Sequence, residues 1–537
     1  MLLNLPLELI QLILLKCTTQ TFLQVAFSCR TLYGIASNYR EALAHHLRQT
    51  PGFRRNQNIS STDTKQLFQI LKQHAFQQLY GSQFRANCTK FNIGEQILNV
   101  PASSLASFGN KTLIFTTCQD QRLVHVFQVA DGKLTSLAQL KLPWDQSGRL
   151  EVSKIAFDGE DKIYVLQRFT PAIDEHGPDA EHPFIRQAKE SSRYGKVYLT
   201  RHSLQCPDGL VRICDFVDDG DIDPSALAVN CQGTFAIVWH HRQYADCSIQ
   251  LYTGIEEAPH DPTSNLIGLT CQSIILKDWA PPSPPGEAVE RRLITDLEFN
   301  DRSMQLLYYY QSRTLYRAFQ SCLSESPHLY RNSTPVTFTP SLSLLFSIGI
   351  PFFGTHETES QNGFETCRWR YLALGIATHR QENWTVACLM RSEAVCRASN
   401  CGHELNLDRG RRLTDWVIAA RLWGFRDATS SLGCKVATSR DGTRIAVSNW
   451  KTIYVWALDP GSLIDLNENE YYPPSWQSSE TGLIDLPPMV LHTGAVCFQL
   501  CFTREENELV AITDQGFMLW DLRASGTGNR TSQVVDV

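Results

Sequence analysis

The sequence predicts a multidomain protein, a small all-α module followed by an all-β domain built as a propeller of about seven blades. Three observations predict it. Apolar residues recur with a helical period only in the first ninety positions, whereas strand-like runs separated by polar, often glycine-bearing turns recur from about residue 95 to 523. Charge divides at the same place: residues 1–90 carry 10 basic and 3 acidic side chains, leaving 39 basic against 52 acidic beyond Lys90.

The chain has 537 residues, 43% of them apolar, enough for more than one real core, and its net charge of -6 gives no general attraction to nucleic acid or to an anionic membrane. Neither is expected as a partner. The 17 cysteines are odd in number and scattered, with Cys118, Cys231 and Cys388 in strand-like runs, and read as reduced core thiols. The apolar start lacks the basic region and small-residue cleavage site of a secretory leader, and Pro6 and Glu8 interrupt it. A cytoplasmic or nuclear protein is expected, in which sequons such as Asn58 and Asn332 go unused.

Between Leu5 and Leu15, Leu5, Leu9, Leu12 and Ile13 form one helical stripe, while Ile10 and Leu14 fall on another face. So short a helix, apolar on more than one side, exceeds what a small module can bury. Leu9, Ile10, Ile13 and Leu14 are therefore expected to be partly exposed. Asn4 is placed to cap this helix, with Pro6 in its first turn and Glu8 near the positive end of its dipole. The polar Thr18-Thr19-Gln20 ends it, and further helical turns follow through Phe22, Leu23, Val25, Ala26 and Phe27, then Cys29, Leu32, Tyr33, Ile35 and Ala36.

These residues resemble the F-box: the opening Leu5-Pro6 with Glu8-Leu9-Ile10, the pair Ile13-Leu14, the apolar block Leu23 to Phe27, and the close Ser28-Cys29-Arg30-x-Leu32-Tyr33. The resemblance covers under a tenth of the chain. It implies that a Skp-family linker of SCF ubiquitin ligases covers the surplus apolar surface and joins the chain to a cullin. By position, the implied linker contacts are Leu5, Pro6, Leu9, Ile10, Ile13 and Leu14, with Val25 and Leu32 nearer the module's own core. The alternative is a helical hairpin packed on the rest of the protein.

The module is expected over 1–48 and a linker over 49–94. Within the linker, Leu67, Phe68, Ile70, Leu71, Ala75, Phe76 and Leu79 mark a connecting helix whose apolar face is expected to lie on the next domain.

The clearest repeating unit runs from Val436 to Asp459, with Asp441-Gly442 as the hairpin turn and alternation through Ile453, Tyr454, Val455 and Trp456. A second runs from Leu500 to Arg523 and contains Trp520-Asp521. With Phe108, Phe157, Val229, Phe299, Ala373, Ala437 and Phe502 as markers, seven copies are counted, lengthened by insertions such as 171–183, 279–287 and 460–488. The units resemble WD-repeat β-propellers. That resemblance implies a ring over 95–523, closed by pairing of the last blade to strand material from 91–115, with 524–537 a flexible tail. A pair of β-sandwiches is the rival fold.

No phosphate loop, nucleophile elbow or His-Glu-x-x-His is present, and no catalytic constellation, cofactor site or metal site is assigned. Cys396, Cys401 and His403, with Cys388, lack the paired knuckles of structural zinc. Asp219, Asp221 and Asp223 imitate the start of a calcium loop, but Asn230 stands at its twelfth position. A turn between blades is expected there. His240-His241 reads as an exposed strand end. Arg409, Arg411 and Arg412 form a basic island suited to an acidic or phosphorylated target, and Arg291-Arg292 forms a smaller one. The expected function is a substrate-recognition adaptor of an SCF-type ubiquitin ligase. A non-degradative F-box scaffold and a propeller enzyme with an unrecognised site are the alternatives.

Overall fold

Pro6 fixes the backbone before Leu7 and cannot donate a hydrogen bond, so α1 (Leu7–Lys16) begins directly after it, not at Asn4, which belongs to a preceding 3-10 turn. Four more helices follow: α2 (Thr19–Ser28), α3 (Arg30–Asn38), α4 (Arg40–Gln49) and α5 (Thr64–Gln78). The Thr18 hydroxyl caps α2 by accepting from the Thr21 amide at 3.1 Å, and the Cys29 thiol serves Leu32 in the same way at 3.5 Å.

The computed structural model describes residues 2–49, 59–78, 86–92, 98–171 and 195–253 apart from short gaps, and beyond 266 the strands with a few flanking residues, including 488–503 and 508–522. No helix among them is long and apolar enough to cross a membrane. The chain divides into two units, one of residues 1–90 with 345–535 and one of residues 91–344 with the last two positions.

The helices share one core, filled by Ile10, Leu14, Phe22, Leu23, Leu43, Leu67, Phe68 and Leu71 among others. Leu67, Phe68, Leu71 and Ala75 thus turn the apolar face of α5 onto the other helices, where the sequence had suggested the next domain. Arg40 ties the approach to α5 down, donating to the carbonyls of Ile59 at 2.6 Å and Thr62 at 2.7 Å.

Among the described residues the strands form seven sheets of four or five strands, with one further two-stranded sheet. Consecutive antiparallel strands make the first, β2 (Ser104–Phe108), β3 (Lys111–Thr117), β4 (Leu123–Ala130) and β5 (Lys133–Lys141). The second contains β6 (Gly148–Phe157), β7 (Lys162–Pro171), β8 (Lys196–Ser203) and β9 (Arg212–Asp215). The third begins with β10 (Ile222–Val229), β11 (Phe235–His241) and β12 (Cys247–Thr253) and ends at Thr270–Ile274. Cys231, placed in a strand by its neighbours in sequence, stands exposed in the turn between β10 and β11.

Side chains alternate between faces, so each central strand feeds two cores. Ile163, Val165 and Phe169 of β7 pack with Leu113, Val126 and Trp144, whereas Tyr164 and Leu166 pack with Phe235, Ile237 and Trp239 of β11. First strands also lie side by side, β2 on β6, β6 on β10 and β10 on Leu293–Phe299; in the other unit Cys434–Thr438 lies on Cys497–Phe502. This is the packing of propeller blades, in which each sheet is covered by its neighbours in chain order.

Six of the seven sequence markers fall on the first strand of a sheet. The exception is Ala373, on the second strand of the fifth sheet (Arg370–His379), whose first strand is Leu342–Ile350. The last sheet runs Cys497–Phe502, Glu508–Thr513, Gly516–Asp521, then β1 (Asn87–Asn92), then Ser532–Asp536. The partner of the last repeat therefore lies just before most of the 91–115 stretch, and a strand occupies part of the expected tail.

Candidate functional site

The helical phase of α1 separates its apolar residues into two sets. Ile10 (3% exposed) and Leu14 (0%) point into the helical core, although both were expected near the surface as linker contacts. Core neighbours from α4 and α5 supply the apolar surface that fills around them. Leu5, Leu9, Leu12 and Ile13 remain between 39% and 51% exposed, and Leu7 and Pro6 are exposed beside them. Of the named contacts, Leu5, Pro6, Leu9 and Ile13 thus lie on the surface. Leu7 and Leu12 join them, Leu12 from the stripe already visible in the sequence. Covering a half-exposed leucine is worth about 1 kcal/mol, so the stripe is a substantial source of binding energy for a partner that fits it.

A second exposed patch holds Phe27 and Tyr33, whose rings lie 6.1 Å apart and both meet Phe68 of α5, with Lys72 over the Phe27 ring at 5.5 Å. The sequence placed Phe27 in an apolar block without distinguishing its outward direction. Val25 is half-buried and Leu32 buried, both against the module's core.

His46 fixes the inward side. Its Nε2 lies 2.7 Å from the Leu14 carbonyl oxygen and its Nδ1 3.3 Å from the Thr19 hydroxyl, which ties α1, α2 and α4 together. A carbonyl only accepts, so the neutral ring carries its proton on Nε2 and accepts from Thr19 at Nδ1. Burial is the main reason its pKa falls from 6.5 to about 4; nearby His45 lowers it further, against the opposing hydrogen bond to Leu14. The unfolded chain therefore binds the proton first. The contribution of His46 to stability is complete above pH 6.5 and is lost as pH falls toward 4, by about 3 kcal/mol in all. His46→Gln keeps a donor for Leu14, and in melts between pH 7 and 4 it is expected to show a weaker loss of helical-module stability than the parent chain.

Several other candidates fall on or near strands. Asp223 lies on β10, where its carboxylate accepts from Arg168 of β7 at 2.7 Å while Arg168 also donates to the Ile222 carbonyl at 2.9 Å. The third acid of the calcium-like pattern thus joins two sheets and does not sit in a turn. His240 lies on β11 opposite Asp223 and is half-buried. Cys396 lies in a two-stranded pairing with Thr366–Cys367, and Cys388 in Glu382–Arg391. Asp219, Asp221, Arg291, Arg292, Cys401, His403, Arg409, Arg411, Arg412 and the turn Asp441-Gly442 lie outside the described residues. Among the described residues no group of three His, Cys, Asp or Glu side chains is arranged to hold a metal. Trp520 is buried between the last two sheets.

No protein-family model matches the sequence, and no curated protein matches it. Among solved structures, a chain of a mitotic checkpoint complex is similar at 9% identity and a TM-score of 0.40, covering 81% of this chain and 93% of its own. The C-terminal WD40 domain of Sif2 is similar at 11% identity and a TM-score of 0.35, covering 83% of this chain and 99% of its own. At these scores the fold assignment rests on the strand order and sheet packing described above.

Proposed function

We propose that the chain is a substrate-recognition adaptor of an SCF-type ubiquitin ligase. The helical module docks on a Skp-family linker and, through it, a cullin, while a closed seven-bladed propeller holds the target. One observation carries this: α1 presents Leu5, Leu9, Leu12 and Ile13 outward while Ile10 and Leu14 complete the core behind them. A helix that keeps a full apolar stripe after its own core is filled suits a helical or groove-shaped partner. Catalysis then belongs to the partners, and the adaptor contributes proximity. Its place of action is the cytoplasm or nucleus. The basic island Arg409, Arg411 and Arg412 is assigned to the target, which would be acidic or phosphorylated.

The test is affinity purification of the tagged full chain from cells, with ubiquitin-remnant mass spectrometry in cells with and without it. Linker, cullin and a target whose ubiquitination depends on the chain are expected together. Linker without cullin indicates a non-degradative scaffold, and absence of the linker overturns the docking assignment.

A further inference from the structure

Outer sheet edges expose unpaired backbone groups and invite foreign strands, so proteins keep them short or cover them. This chain does one or the other at every sheet but one among the described residues. The fourth strands of the third, fourth and sixth sheets are Thr270–Ile274, Thr334–Val336 and Met489–His492, of 5, 3 and 4 residues. In the second sheet β9 is covered in parallel by Leu266–Ile267, and in the fifth Trp416–Leu422 is covered in parallel by Ile484–Leu486. In the last, Ser532–Asp536 lies outside β1. The first sheet differs, because β5 has 9 residues and, among the described residues, no further strand lies against it.

The chemistry of β5 narrows what can pair there. A bulge lies between Ser136 and Ala138, since Phe127 faces Ser136 and Val126 faces Ala138, and Leu137 at the bulge is 46% exposed. The straight segment Lys133–Ser136 precedes it. Register places Lys133 opposite Ala130 at the start of the edge strand, where its exposed ammonium group stands beside the turn that bears Asp131. A second copy is disfavoured: two β5 strands paired about Leu137 would set Lys133 opposite Lys141 of the other copy. An acidic strand meets no such penalty.

We propose that Lys133–Ser136 is a strand-addition site for an extended segment of a partner protein, acidic where it meets Lys133 and apolar where it meets Leu137. Main-chain pairing supplies the affinity, and the lysine end and Leu137 supply the choice of sequence. The site is independent of the helical module and of any linker.

The probe is a fluorescein-labelled peptide, Asp-Glu-Thr-Val-Thr-Val-Ile, titrated into the full chain by anisotropy. Binding is expected to weaken about tenfold or more when alternate peptide amides are N-methylated, and again with Leu137→Lys. Both replaced side chains in the variant set are exposed, so folding is retained, which melting curves verify. Lys133→Glu should weaken the acidic peptide and strengthen one beginning Lys-Lys. Undetectable binding at millimolar peptide, or binding indifferent to N-methylation and to Leu137→Lys, overturns the proposal. A dimer of the chain that Leu137→Lys dissolves also overturns it, in favour of a second copy.

Discussion

Leu14→Asp is expected to unfold the helical module, whereas Leu9→Asp combined with Ile13→Asp leaves it folded and removes linker binding. Leu14 is fully buried, so an aspartate there places a carboxylate in an apolar core. The cost is several kcal/mol, comparable with the whole stability of a domain this small, roughly 5 to 10 kcal/mol. Leu9 and Ile13 are 47% and 39% exposed, and charges there meet water in the free chain. In a complex they would be desolvated at the centre of the interface, which weakens binding by about a thousandfold. Circular dichroism separates the two variants, and copurification of the linker measures the second effect. Linker recovered in full with the double variant would remove the docking assignment.

Trp144→Ala is expected to cost the sheet domain about 3 to 5 kcal/mol, the range for deleting a large buried aromatic. Trp144 follows β5 and reaches the second sheet, stacking on Phe169 with centroids 4.6 Å apart and planes 11° apart and leaning on Tyr198 at 4.8 Å. Loss of the indole leaves a cavity walled by two sheets that neighbouring strands hold in register, so little collapse can fill it. Denaturant unfolding followed by circular dichroism gives the difference directly, with Leu137→Ala on the same blade as a control near zero. A change below about 1 kcal/mol for Trp144→Ala would show that sheet-to-sheet packing is not what stabilises this unit.

Much of this architecture was legible in the chain. A 3.6-residue period puts Leu9 and Ile10 on different faces, so the two sides of α1 follow from spacing alone. Which side turns inward does not, because His46, 32 positions away, and the apolar residues of α5 decide it. The strand repeat was legible wherever a short turn joins the first two strands of a sheet. In the fifth sheet Leu342–Ile350 and Arg370–His379 are joined by a stretch far longer than a hairpin loop, so the marker moved one strand onward. Asp223 shows the same limit: acids at alternate positions suit a strand or a calcium loop equally, and Arg168, 55 positions earlier, supplies the partner that settles it.

The position of β1 sets an order in time. This strand emerges from the ribosome just after the helices, but its neighbours in the sheet, Gly516–Asp521 and Ser532–Asp536, follow only after the whole span from Asn92 to Gly516. At about 5–20 residues per second, the span from Asn92 to Gly516 takes on the order of tens of seconds to synthesise. Throughout that interval β1 is a nascent strand with both edges open, on a chain whose α1 already carries bare leucines. An early-arriving partner or a chaperone on the α1 stripe would shield the leucines through that wait, so the yield of native protein should depend on how soon after α1 emerges that surface is covered.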